Sequence, residues 1–107
     1  MKKTDWTEFL RWIDIFTAEE IEQVIIPMHQ YHAEFHTCMS HIAPIYPSPA
    51  VVSLEKKGII SQFKLTDLHG TRSPGAFFTD KYMDAWAAQR LYREMIISAR
   101  DEKGTTE

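Results

Sequence analysis

The chain has one cysteine, Cys38, and only four glycines in 107 residues. A single thiol excludes an intramolecular disulfide framework, so the fold must rest on its own core. A chain of this length buries roughly two-thirds of its unfolded surface, enough for one domain without staples. Residues 1–107 read as a single domain with a polar C-terminal tail over 101–107. No glycine-rich phosphate loop and no Gly-x-Ser-x-Gly elbow is present, so no cofactor and no enzymatic activity is expected. The longest stretch free of Asp, Glu, Lys and Arg runs from Phe35 to Leu54. It holds Pro44, Pro47 and Pro49 and two histidines, so it is no membrane span. No basic-then-apolar leader opens the chain, and the expected location is cytoplasmic.

Charge is present but unevenly spread. The net charge is −3, made of −4 over residues 1–47, +2 over 48–79 and −1 over 80–107. An acidic whole argues against non-specific nucleic-acid binding, while the basic middle leaves room for a specific contact.

Capping signals and periodicity place the elements. Asp5 and Glu8 form a capping pair, and Trp6, Phe9, Leu10, Ile13 and Phe16 recur at helical spacing, predicting a helix over 5–16. Thr17 and Glu20 form a second capping box. It starts a longer helix whose apolar face runs from Ile21 through Val24, Ile25, Met28, His32, Phe35 and Met39 to Ile42. Pro27 lies inside that helix and predicts a kink, since it removes a donor and clashes with the preceding turn. Ser48-Pro49 starts a short helix that ends at Gly58. Phe63 and Leu65 then alternate with polar residues in a half-buried strand over 59–66. A polar turn leads to a short returning strand over 76–78, and Thr79 caps a last helix over 80–100. The expected fold is mainly α with one β-hairpin.

The phrase Ser48-Pro-Ala-Val-Val-Ser-Leu-Glu-Lys-Lys-Gly-Ile-Ile60, followed by Phe63-Lys-Leu-Thr66, resembles the second half of a winged-helix DNA-binding domain of the MarR-like and PadR-like kind. The resemblance covers about a third of the chain. It implies a winged-helix-like fold of order α-α-α-β-β-α, the second helix kinked at Pro27, and a transcriptional regulator that binds double-stranded DNA and acts by operator occupancy. Ser48, Ala50, Ser53, Lys56 and Lys57 would then lie at or near the major groove, and Lys64, His69, Thr71 and Arg72 on the wing. The opposing reading makes Lys56 and Lys57 a solvated last turn favoured by the helix dipole. The alternative function is a non-enzymatic protein-interaction module, an inhibitor or adaptor of the kind mobile elements carry, working through the acidic N-terminal helices.

Four histidines, His29, His32, His36 and His41, fall in thirteen residues beside Cys38. Spacings of three and four can place two imidazoles on one metal, but no further paired ligand completes a site, so the cluster reads as structural and no metal is expected. Cys38 reads as a small core residue. Asp67, His69 and Ser73 share one turn and read as turn formers. On a continuous last helix, Tyr82, Trp86 and Ile97 share one stripe, while Ala88, Leu91, Met95 and Ala99 fall on nearly the opposite one. That second stripe predicts a twofold homodimer.

Overall fold

The computed structural model describes residues 15–104. The helix expected over 5–16 lies outside that range except at its end, where Ile15 and Phe16 form a turn and Phe16 is buried. The capping box at Thr17 is formed. The Glu20 N–H donates to Thr17 Oγ1 at 3.1 Å and the Thr17 N–H donates to Glu20 Oε1 at 2.8 Å. It opens α1 (Ala18–Glu20), which continues through a π-helical stretch (Ile21–Ile25) into α2 (Ile26–Glu34). The accommodation of Pro27 is therefore a π turn immediately ahead of it. The Ile26 N–H reaches the Ile21 carbonyl, five residues back. This widening eases the clash a proline ring makes with the carbonyl four residues before it.

The helix ends at Glu34, well short of Ile42. His36 takes φ +53°, and the Thr37 N–H donates to the His32 carbonyl at 3.0 Å. That is a Schellman ending with histidine where glycine is usual. Thr37 Oγ1 also bonds His32 Nδ1 at 2.7 Å, so one residue closes the helix with both backbone and side chain. Phe35 and Cys38 are consequently exposed, and Cys38 is no core residue.

A short strand absent from the sequence reading follows, β1 (Ala43–Pro44). The residues 45–48 connect it to α3 (Pro49–Lys56), capped by Ser48 Oγ, which accepts from the Val51 N–H at 3.2 Å. Then come β2 (Ile60–Thr66) and β3 (Arg72–Phe78), the latter four residues longer at its start than its apolar end implies. The sheet is antiparallel with order β1-β3-β2. Its turn is stapled by Asp67, whose Oδ1 accepts from the His69 and Thr71 N–H groups at 2.8 and 2.9 Å, with Gly70 at φ +79°.

The last helix is two helices, α4 (Asp80–Ala88) and α5 (Arg90–Gly104), broken at Gln89. The break has a tertiary cause. In one helix Tyr82 and Tyr92 would be about 15 Å apart along the axis. Here their hydroxyls meet at 3.1 Å, with Tyr82 also 2.8 Å from His29 Nε2. The polar segment from Asp101 continues α5 to Gly104 rather than forming a loose tail.

The core lies on one face of the sheet. Ala43, Ile60, Ala76 and Phe78 are buried there against Val24, Ile25, Met28, Leu54 and Ile96. His29 sits between Trp86, stacked at 4.3 Å, and Phe78 at 4.9 Å. The architecture is a small, helix-rich α+β fold: the expected hairpin is present, and β1 extends it to a three-stranded antiparallel sheet. Among the described residues no helix is long and apolar enough to cross a membrane.

Candidate interaction surface

The expected groove-facing residues of α3 are mostly engaged inside the chain. Ala50 is core, and Ser48 is the helix cap. Ser53 Oγ donates to Glu20 Oε2 at 2.6 Å, and Lys57 Nζ reaches both Glu20 oxygens at 2.7 and 2.9 Å. Glu20 is 3% exposed. Burial alone would raise its pKa, but the bonds from Lys57, Ser53 and Thr17 outweigh that and hold it below the usual carboxylate range. One buried carboxylate thus ties the start of α1 to the end of α3. Nothing local in the sequence joins residues 20 and 57, and the capping box accounts for Glu20 without them.

Lys56 stays exposed at the end of α3, and Lys81 Nζ donates to the Lys57 carbonyl at 2.9 Å. On the hairpin, Lys64, His69, Thr71 and Arg72 are all exposed. Register places Lys64 opposite Pro74 and Thr66 opposite Arg72, so Lys64 and Arg72 are diagonal neighbours on the face that also carries Phe78. Among the described residues Lys56, Lys64 and Arg72 carry no ion pair. Arg72 also lines a cavity of about 410 Å³ with Pro44, Ile45, Tyr46, Ser73 and Pro74.

The opposite sheet face departs from the sequence reading. Alternation assigns the inward side to Phe63 and Leu65, but the strand enters the core through Ile60, which lies on the opposite face from both. Phe63 is 53% exposed on the outer face, with Leu65 and Phe77 beside it, both half-buried. Ile42 folds over the same face above Gly75, where a Cβ would stand 2.6 Å from Ile42 Cγ2. Glycine is required there for the backbone to pass beneath that side chain.

Among the described residues the edge of β2 is partly open. Gln62 gives its N–H to Glu55 Oε2 at 3.0 Å rather than to β3. Pro74, opposite Lys64, gives its carbonyl to the Ile45 N–H on the β1 side. Both bonds fix the parity of the ladder, so the even-numbered residues of β2 direct their backbone groups away from β3. Glu55 closes the edge at Gln62, and the N–H and C=O groups of Lys64 and Thr66 face outward with no partner among the described residues.

The remaining candidates divide. His29 and His32 are buried, and His36 and His41 are exposed. Burial first, then the neighbouring His32 and Arg100, lowers His29 to about 3. His32 is lowered by burial and by His41, and its Nε2 has no hydrogen-bond partner among the described residues. No group of three His, Cys, Asp or Glu side chains among the described residues is placed to hold a metal ion. The dimer stripe does not exist as one face. Ala99 lies in the core with Tyr92 and Ile96, Met95 packs partly against that core, and Ala88 and Leu91 are exposed. The break at Gln89 destroys the phase that united them. No protein family, curated protein or solved structure matches the chain.

Proposed function

We propose that this protein is a non-enzymatic protein-interaction module whose working surface is the β-hairpin, rather than the acidic N-terminal segment. The outer sheet face carries the reading: Phe63 is 53% exposed in line with Leu65, Phe77 and Ile42. A half-exposed aromatic within an apolar patch suits a partner's surface. The engagement of Glu20 by Lys57 and Ser53 also supports it, because it removes two of the groove contacts a regulator would use. The exposed free thiol of Cys38 suits a reducing, cytoplasmic setting.

A second reading is the DNA-binding one, a winged-helix-like regulator. It is supported by Lys56, Lys64 and Arg72, exposed and without an ion pair among the described residues, and by the run from α3 through Gly58 (φ +79°) into the hairpin. Against it stands the connector 45–48, which is not helical where a helix-turn-helix has a helix. A homodimer joined near Leu91 and Ala88 is compatible with either reading, and sedimentation equilibrium measures it.

A photo-crosslinking residue placed at Phe63, with Gln89 as the control position, tests the function in cells of the source. A discrete protein adduct from position 63 alone is the expected result. A nucleic-acid adduct moves the assignment to the second reading, and equal labelling from both positions removes the hairpin from consideration.

A further inference from the structure

We infer that the hairpin takes its partner by strand addition, pairing the free edge of β2 with an extended segment in which apolar and acidic residues alternate. The inference rests on the interaction reading above and names its partner. Three features of one strand carry it. The backbone groups of Lys64 and Thr66 point outward and have no partner among the described residues. Phe63 and Leu65 lie on the outer face, so every second residue of an added strand would extend that apolar surface. The intervening residues would fall beside Lys64, with Arg72 diagonal to it, two exposed cations without a carboxylate partner among the described residues. Acidic side chains at those positions complete the charge.

The same features argue against a second copy of the chain. A twofold pairing of β2 with itself, centred within residues 63–65, brings the two Lys64 side chains opposite or diagonal on one face. Like charges so placed are unfavourable, and lysine on an edge is a known means of discouraging self-pairing. The edge thus repels its own kind and accepts a strand of opposite charge. Glu55 limits the pairing at Gln62, which fixes where an incoming strand ends. An added strand needs no movement of the core, because Lys64 and Thr66 are both exposed.

The experiment uses the full chain and a synthetic peptide of about seven residues alternating valine and glutamate, a typical strand length. Binding is followed by fluorescence anisotropy, with a valine–lysine peptide as control. Saturable binding of the glutamate peptide alone is expected. Lys64→Glu should weaken it by about tenfold and confer binding of the lysine peptide, as reversal of a complementary charge requires. Lys64 is exposed, so an unchanged denaturation midpoint of Lys64→Glu verifies the fold. Two N-methylated peptides separate strand pairing from charge attraction. Methylation of the residues facing β2 should abolish binding, and methylation of the alternate residues should leave it. Equal loss in the two series overturns strand addition, as does failure of the glutamate peptide to bind. If the Phe63 protein adduct survives that failure, the interaction reading stands without strand addition; if it too is missing, both fall. Loss of duplex DNA binding in Lys64→Glu, with no peptide binding by the wild type, also overturns the inference and favours the regulator.

Discussion

Replacing Glu20 by alanine should be among the most costly single changes in the chain. The carboxylate accepts the Thr17 N–H, the Ser53 hydroxyl and the Lys57 ammonium, and it is 3% exposed. A lost helix cap costs about 1 kcal/mol. A hydrogen bond to a charged group contributes about 1.5–3 kcal/mol, and Ser53 loses one outright. Lys57 is 36% exposed and regains water when released, so its share is discounted to a few tenths. The total is roughly 3 kcal/mol for Glu20→Ala. Glu20→Gln keeps the shape and one acceptor oxygen, and roughly half that loss is expected. Urea denaturation measures both, and with a slope near 1.5 kcal/mol/M the alanine variant's midpoint falls by roughly 2 M. A double-mutant cycle with Ser53→Ala isolates the shared bond. The pH dependence has a definite sign. The folded pKa lies below the ordinary value, so this contribution is complete above the ordinary carboxylate range and lost as pH falls through the lowered folded value. Glu20→Gln should flatten that acid limb. A loss under about 1 kcal/mol for Glu20→Ala, or additivity with Ser53→Ala, would refute the view that this carboxylate joins α1 to α3.

Two further outcomes follow from buried groups. His29 is neutral in the fold with its pKa lowered to about 3, so stability is full above the unfolded value near 6.5 and declines as pH falls from there toward 3. The slope approaches about 1.4 kcal/mol per pH unit for this one group, and denaturation of His29→Gln at stepped pH should show a shallower acid limb. Gly75→Ala should destabilise by roughly 1–3 kcal/mol through overpacking, because the new methyl meets Ile42 Cγ2 at 2.6 Å. Thermal unfolding of Gly75→Ala combined with Ile42→Ala tests this: if the shorter side chain at 42 gives no relief, the collision is not the cause.

The sequence alone determined the features that depend on neighbours within a turn or two. The Thr17–Glu20 box, the Ser48 and Thr79 caps and the left-handed Gly58 are local devices, and they stand where the residues announce them. Tertiary structure decided the rest. Periodicity carried the second helix on to Ile42 because Phe35, Met39 and Ile42 keep its phase, yet the chain leaves the helix at His36, where Thr37 turns back on His32. Ala87-Ala88-Gln89 contains no breaker, and the helix parts there so that Tyr82, Tyr92 and His29 can meet in one core. Alternation in β2 established a strand but not which side faced inward, since Ile60 and not Phe63 contacts the helices. The basic residues were legible as charges, but their availability was not. Lys57 is drawn to Glu20, thirty-seven residues away, while Lys64 is exposed on the sheet edge with no ion pair among the described residues. A side chain's partner across such a distance is set by packing, which residue order records only in aggregate.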